Sequence, residues 1–317
     1  MNREERKESL RSDETYRDVS AIDQRTGRRY WEYYVVKQLG EPKKEKVNIY
    51  HDVFVQNTGR LSLTIETKTQ IFIGSGTVEI TGGDQQYFTF SRVNDRIVIP
   101  GSSLKGDIRQ YAEALSFSCY DASCEDELCP ACRIFGSAPF HFKGKVSFED
   151  AKLLNGKTRI ITIPQRWGPR IEYENGRKFY YHSAPLIESR DREWLEVVET
   201  GGYFNFNLAF ENLEDWELGL LILAMGVAPG REFPLKIGGG KNRGLGLVKL
   251  SLELDRSFLF LSPEEMFSSP RPKAIKVKEE NLNNWVEKYL EKMSSGTREE
   301  LDKIIKKFRE GKPDGQR

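Results

Sequence analysis

"VIPGSSLKGDIRQYAEAL", residues 98–115, runs from an apolar strand end through Gly101-Ser102-Ser103-Leu104-Lys105-Gly106 into an amphipathic helix. A helix over about 103–116 places Leu104, Ile108, Tyr111 and Leu115 on one stripe. The glycine spacing resembles a nucleotide-binding loop, but that loop requires a lysine and a hydroxyl after the second glycine. Here Asp107 and Ile108 follow Gly106, and Lys105 precedes it, so an acidic group stands where a phosphate would lie. An ATPase or GTPase is excluded. What survives is the backbone N–H groups of a helix start beside Ser102, Ser103 and Lys105, with Arg109 one turn on, an anion pocket by its chemistry. The alternative is an ordinary helix start with solvated charges.

Outward from the turn, the order of elements defines the fold. "RLSLTIETKTQIFIG" (60–74) alternates Leu61, Leu63 and Ile65 with polar residues, the period-2 signature of a half-buried strand. A glycine-rich loop, "GSGTVEITGGDQ", leads to "RIVIP" and the quoted helix. Then come "GKVSFEDAKLL" as a strand, "YFNFNLAFENL" (203–213) as a strand and "EDWELGLLILAMGV" as a buried helix whose acidic first turn suits the helix dipole. "PLKIGGGKNRGLGLVKLSLEL" closes the series as strand, glycine loop, strand. The resulting β, α, β, β, α, β order predicts an α+β protein with a ferredoxin-like or RNA-recognition-motif core. Between its second and third strands, residues 156–200 mix aromatics and arginines around Asn175-Gly176, a hairpin-type turn, and read as a projecting arm. Two C-terminal helices carry apolar stripes, Leu282, Trp285, Val286, Tyr289 and Leu290 on one, Leu301, Ile304, Ile305 and Phe308 on the other. They pack on the main body in the simpler reading; docking a partner is the other. The division is an N-terminal elaboration (1–58), a core (59–255) that includes the arm, and a C-terminal helical extension (256–317).

Composition sets limits. The 317 residues carry 49 basic and 48 acidic side chains, net +1, so any anion site depends on local placement rather than bulk charge. No apolar run of membrane-spanning length occurs and "MNREERKESLRSDE" lacks the core of a signal peptide, which predicts a cytoplasmic protein. All four cysteines fall between positions 119 and 132, unlike a disulfide framework, which would scatter them. Cys119, Cys124, Cys129 and Cys132, spaced x4, x4 and x2, suit tetrahedral zinc in the segment 117–135, with His141 as the nearest replacement ligand. A closed four-ligand shell leaves no position for water, so that zinc is structural.

A second glycine-bearing bend, "GGGKNRGLGLV" (238–248), places Gly239 and Gly240 beside Lys241 and Arg243. Glycines let a backbone approach a ligand closely, and the cations would then meet phosphate; a tight hairpin is the bland alternative. Two such bends in a fold that can bring them together imply a track for a sugar–phosphate backbone, with Lys105 and Lys241 on it.

These residues carry a likeness. "IPGSSLKGDIR" (99–109), "CPACRIFGS" (129–137) and "GGGKNRGLGLV", in that order, resemble the signature blocks of the RAMP superfamily, and more narrowly the repeated backbone subunit of type III CRISPR RNA-guided effector complexes. The likeness covers roughly residues 60–250; both terminal extensions lie outside it. It implies guide-RNA binding along a filament, target RNA presented for cutting, and partners among the other effector subunits and copies of the chain itself. It also implies an inserted thumb, for which 156–190 is the candidate, with Arg166, Trp167 and Arg170 stacking on or wedging bases. A surface hairpin packing on a neighbouring subunit is the other reading.

Cleavage in that family relies on one aspartate after the first strand and a divalent cation such as Mg²⁺. By this resemblance and by its position 16 residues before Pro100, Asp84 is the catalytic candidate, with Asp95 and Asp107 as weaker ones. Gly-Gly-Asp is equally the signature of a turn. The three histidines, His51, His141 and His182, show no local pairing that would make an acid/base dyad. Two further functions stay open: a non-catalytic structural or capping subunit of the same complex, and a stand-alone zinc-stabilised RNA-binding protein.

Overall fold

After a short strand, Arg6–Glu8, come an antiparallel pair, β1 (Tyr16–Ile22) and β2 (Arg29–Lys37), and then the long strand β3 (Asn57–Thr67). A hairpin follows, β4 (Gly74–Ile80) and β5 (Gln86–Phe90), then β6 (Arg96–Ile99), helix α1 (Gly101–Ala114) and the short α2 (Pro130–Phe135). Next come β7 (Ala151–Asn155), β8 (Thr158–Pro164), β9 (Gly176–Phe179), β10 (Arg192–Val198), β11 (Tyr203–Leu213) and α3 (Asp215–Ala224). The strands β12 (Leu235–Lys236) and β13 (Leu247–Leu252) follow, and the chain ends its described elements with α4 (Glu279–Leu290) and α5 (Ser295–Glu310). This computed structural model describes residues 6–8, 14–22, 27, 29–47, 51, 53–166, 171–173, 175–183, 191–260 and 274–314.

The main sheet runs β12-β13-β3-β11-β7-β6 with antiparallel neighbours. Its central four, β13-β3-β11-β7, are the fourth, first, third and second strands of a β-α-β-β-α-β unit, which is the ferredoxin-like order. Alternation dictates the packing: Leu61, Leu63 and Ile65 of β3 pair across with Leu208, Phe206 and Phe204 of β11, and all six are buried under the helices. Each such side chain contributes about 1.5–3 kcal/mol by leaving water.

Helix α3 is apolar nearly all round, and every residue from Trp216 to Ala224 is buried. It therefore needs cover on two sides. The sheet side and α1 supply one; α4 supplies the other, coming so close that a Cβ on Gly219 would collide with the Trp285 carbonyl. A capping box between Glu214 and Glu217 starts α3, and the fully buried Glu217 also receives Lys145 Nζ at 2.8 Å and Arg133 Nε at 2.9 Å.

The region expected as a projecting arm is tied in at both ends. β8 and β10 pair along their whole length and extend through β5 to β4, a four-stranded sheet over a small core of Phe72, Ile163, Leu195, Val197 and Leu245. The "GSGTVEITGGDQ" stretch expected as a loop is thus the β4–β5 hairpin, because its T-V-E-I alternation supports a strand despite the glycines. All seven residues of β4 are exposed and it forms the sheet edge. Likewise the Asn175-Gly176 turn does not join a hairpin: Ile171–Tyr173 runs parallel to Arg6–Glu8, while β9 pairs with β2. The sheet β9-β2-β1 leans on α5, where Lys307 is buried among Tyr16, Tyr34 and Tyr181 and pairs with Asp18 at 2.7 Å and Asp314 at 2.9 Å. No helix among the described residues is long and apolar enough to cross a membrane.

Candidate nucleic-acid interface and metal centre

The first bend forms as expected but is used differently. α1 begins at Gly101, directly after Pro100, and the Gly101 N–H donates to Asp150 Oδ1 at 2.8 Å. The favoured anion position at this helix start is filled by the protein's own carboxylate. Lys105 reaches the Val146 carbonyl at 3.1 Å, and burial, with Arg109 and Lys143 nearby, lowers its pKa. Ser102 and Lys105 line a cleft of about 420 Å³ together with Gly59, Lys143 and Phe260. Ser103 is half-buried, its N–H held by the Pro100 carbonyl. Arg109 turns to the cysteines, as described below.

The second bend meets the other side of α1. Lys241 Nζ pairs with Asp107, whose second oxygen accepts from the Gly238 N–H at 3.2 Å. Gly238 sits at φ +79°, where a Cβ would strike the Phe72 carbonyl, so only glycine fits. Residues 105 and 107 lie roughly 200° apart around a helix of 3.6 residues per turn. With Asp107 facing the glycine loop, Lys105 must face away. The two bends converge, but the expected common track for Lys105 and Lys241 is not formed: the two lysines line different clefts.

Around Lys241 the structure assembles a larger groove, about 940 Å³, from four separate parts of the chain, among them Gln110 and the cysteine segment. Its cations are Arg166, Arg177, Lys178 and Lys241, with Gly238 and Gly240 on the glycine loop and Gln38 and Glu41 from the N-terminal segment. Arg166 pairs with Glu193 at 2.5 Å and its guanidinium lies 5.2 Å from the Phe72 ring and 5.4 Å from that of Phe88. A Cβ on Gly239 would press on both Phe72 and Arg166. Arg243 instead secures the root of the arm, donating to the carbonyls of Pro164 and Gln165 at 3.3 and 2.8 Å. Trp167 and Arg170 lie outside the described residues. Arg177, Lys178 and Tyr180 were not singled out from sequence, although the run "GRKFYY" interleaves cations with aromatics beside the Asn175-Gly176 turn.

Beneath the glycine loop lies Lys236, whose Nζ donates to the Leu245 carbonyl at 3.1 Å. Burial, with Lys241 adding to it, brings its pKa down to about 7.

The four cysteines converge. Cys119, Cys124, Cys129 and Cys132 are buried and their sulfurs all lie within 4.8 Å of one another. From Cys119 Sγ the other three stand at 3.8, 3.5 and 3.6 Å, too far for a disulfide but close to the roughly 3.8 Å edge of a tetrahedron with 2.3 Å zinc–sulfur arms. Packed as thiols, they cannot ionise together: hydrogen bonds from Cys119 and Cys132 pull the Cys129 thiol down, while the partnership with Cys129 pushes Cys119 up. A divalent cation relieves that conflict, and the donor set fits zinc. His141 is exposed in a left-handed turn and does not join the group.

Asp84 occupies the turn of the β4–β5 hairpin at φ +60°, its N–H held by Thr81 O at 3.1 Å and its carboxylate exposed, with no ion pair among the described residues. Asp95 sits in a similar turn at φ +60°, and Asp107 is committed to Lys241 and Gly238. The histidines are dispersed: His51 contacts Glu211 and the Lys143 carbonyl, and His182 meets the Phe308 carbonyl at 3.0 Å.

A glycine loop packs against the first helix of a ferredoxin-like sheet, with a cationic groove beside it. A family profile of the RAMP superfamily matches residues 64–249, more than half of the chain, and the chain belongs to that superfamily. No curated protein matches it.

Proposed function

We propose that this chain is a guide-RNA-binding subunit of a type III CRISPR effector complex. Superfamily membership makes it a CRISPR-associated RNA-binding protein; the type III assignment rests on the three sequence blocks described above. The observation that carries the RNA site is the groove, where four cations from the arm and the glycine loop stand at one surface. Of these, Lys241, Arg166 and Arg177 are paired with carboxylates. A phosphate can compete for such a cation, and the carboxylates hold it in place until then. The chain's near-zero net charge fits this arrangement of balanced local pairs.

Single-stranded RNA binding over a salt series tests the site. Lys241→Ala should weaken binding several-fold and flatten the salt dependence by about 0.7, the value of one phosphate contact to a single strand. Lys105→Ala, in the other cleft, should leave both unchanged. Equal affinity of Lys241→Ala and wild type would remove RNA from the groove.

Target cleavage is the second part of the reading, favoured by the Asp84 carboxylate at the hairpin tip, exposed and without an ion pair among the described residues. One carboxylate cannot cage Mg²⁺, so the ion would keep waters and borrow phosphate oxygens from the target strand. In an assembled complex Asp84→Ala should keep RNA bound and lose this subunit's cut. Cleavage persisting at full rate would assign the chain to the structural or capping role.

A further inference from the structure

The metal centre and the groove are joined by one chain of contacts. Arg109 donates to Cys132 Sγ at 3.1 Å, to the Gly136 carbonyl at 2.9 Å and, through Nε, to Glu113 Oε1 at 2.8 Å. Glu113, 2% exposed, places its other oxygen 2.5 Å from Arg177 NH2. Arg177 also donates to the Tyr120 carbonyl and lies 5.4 Å from the Tyr120 ring. Arg177, Tyr120 and Cys119 all line the groove. Arg177 Nε, the Tyr120 hydroxyl and Glu113 Oε2 are buried without hydrogen-bond partners among the described residues, so Glu113 holds Arg177 as an ion pair. Among the described residues Glu113 is the one carboxylate paired with the Arg177 guanidinium.

We propose that a metal held by the four cysteines sets the position of Arg177, and so the groove's grip on a phosphate-bearing strand, through Arg109 and Glu113. This rests on the RNA reading above. Four thiolates around a divalent cation retain two negative charges, and a thiolate accepts a far stronger hydrogen bond from a guanidinium than a neutral thiol does. While Cys132 and Gly136 hold two arms of Arg109, only Nε is left for Glu113, whose second oxygen stays with Arg177. Without metal nothing pins the four sulfurs at tetrahedral spacing, and Cys132 Sγ no longer holds the Arg109 arm in place. The freed fork of Arg109 can then take both Glu113 oxygens side by side, the preferred arginine–carboxylate geometry, and Arg177 loses its anchor. Arg109 and Glu113 are positioning residues; Arg177 meets the strand.

The test measures binding of an unstructured single-stranded RNA to the full chain over a salt series, zinc-loaded and chelator-stripped, with thermal melts to follow folding. Stripping zinc should lower affinity about tenfold and remove about 0.7 from the salt slope, as should Arg177→Gln in loaded protein. In Arg177→Gln, stripping should change affinity by less than about twofold, because coupled losses do not multiply. Arg109→Met removes the link between Cys132 and Glu113, so RNA affinity in that variant should no longer depend on zinc. The variant should also hold zinc less tightly against a chelator, by about 10-fold or more, the usual cost of losing a partner of a metal ligand. If stripped protein unfolds, Glu113→Gln in loaded protein replaces it and should match Arg177→Gln and the double variant. Effects of zinc loss and Arg177→Gln, or of Glu113→Gln and Arg177→Gln, that multiply independently overturn the relay alone. A Lys241→Ala variant and an Arg177→Gln variant that both bind as wild type overturn the groove and the relay together.

Discussion

Asp150 changes the meaning of the stretch on which the fold turns. A helix start with serines and a lysine reads as an anion pocket, but the carboxylate that satisfies it arrives from the strand segment 49 positions later. Side-chain caps of this kind are worth about 1 kcal/mol. Asp150→Ala should therefore lower stability by about that amount and expose the vacated N–H groups beside Ser102 and Lys105. Added sulfate should then raise the melting temperature of Asp150→Ala more than that of the wild type. Equal responses would show that the end of α1 has no anion affinity of its own.

At the level of elements, α1 divides the molecule into two clefts, with Lys105 on one side and Asp107 on the other. A similar division of labour occurs where the arm docks on α5. The His182 N–H donates to the Gly311 carbonyl at 2.8 Å and its ring meets Phe308 O, while burial and the nearby Lys236 lower its pKa to about 4. An unfolded histidine titrates near 6.5, so between these values the unfolded chain binds the additional proton and stability rises with pH. The docking is fully present above pH 6.5 and is lost as pH falls toward 4, a span of about 3 kcal/mol. Urea midpoints at pH 5 and 7 should differ less in His182→Gln than in wild type. An unchanged difference would place the acid sensitivity elsewhere.

Across the whole molecule, periodicity made the sheet legible. Leu61, Leu63 and Ile65 and the phenylalanines of β11 alternate because one face is buried, and the β-α-β-β-α-β order follows from those strands. The cysteine cluster was legible for a similar reason, since four ligands close in sequence need little folding to meet. The groove was not. Arg166 and Arg177 of the arm meet Lys241 from a distant segment, and the groove also takes in Gln38, Glu41 and Pro42, which follow β2 and lie outside the family match. Lys105 failed as a groove residue because a glycine-rich helix start gives no sign of which side of the helix its partner will take.

The clasp at Lys307 ties the first strands to the last helix. Asp18 and Asp314 share its ammonium group, and the Tyr16 hydroxyl also reaches Asp314, at 3.2 Å. Lys307→Met should destabilise the protein by about 3–5 kcal/mol, the cost of breaking a buried ion pair. Under limited proteolysis, cuts in residues 16–37 and in the 295–310 helix should appear with the same time course, in wild type slowly and in Lys307→Met quickly. Cuts confined to one end would mean that the buckle holds nothing shut. If they keep step, a nick at the front of this chain is also a release at its back, and an expression tag or fusion placed on either end acts on both.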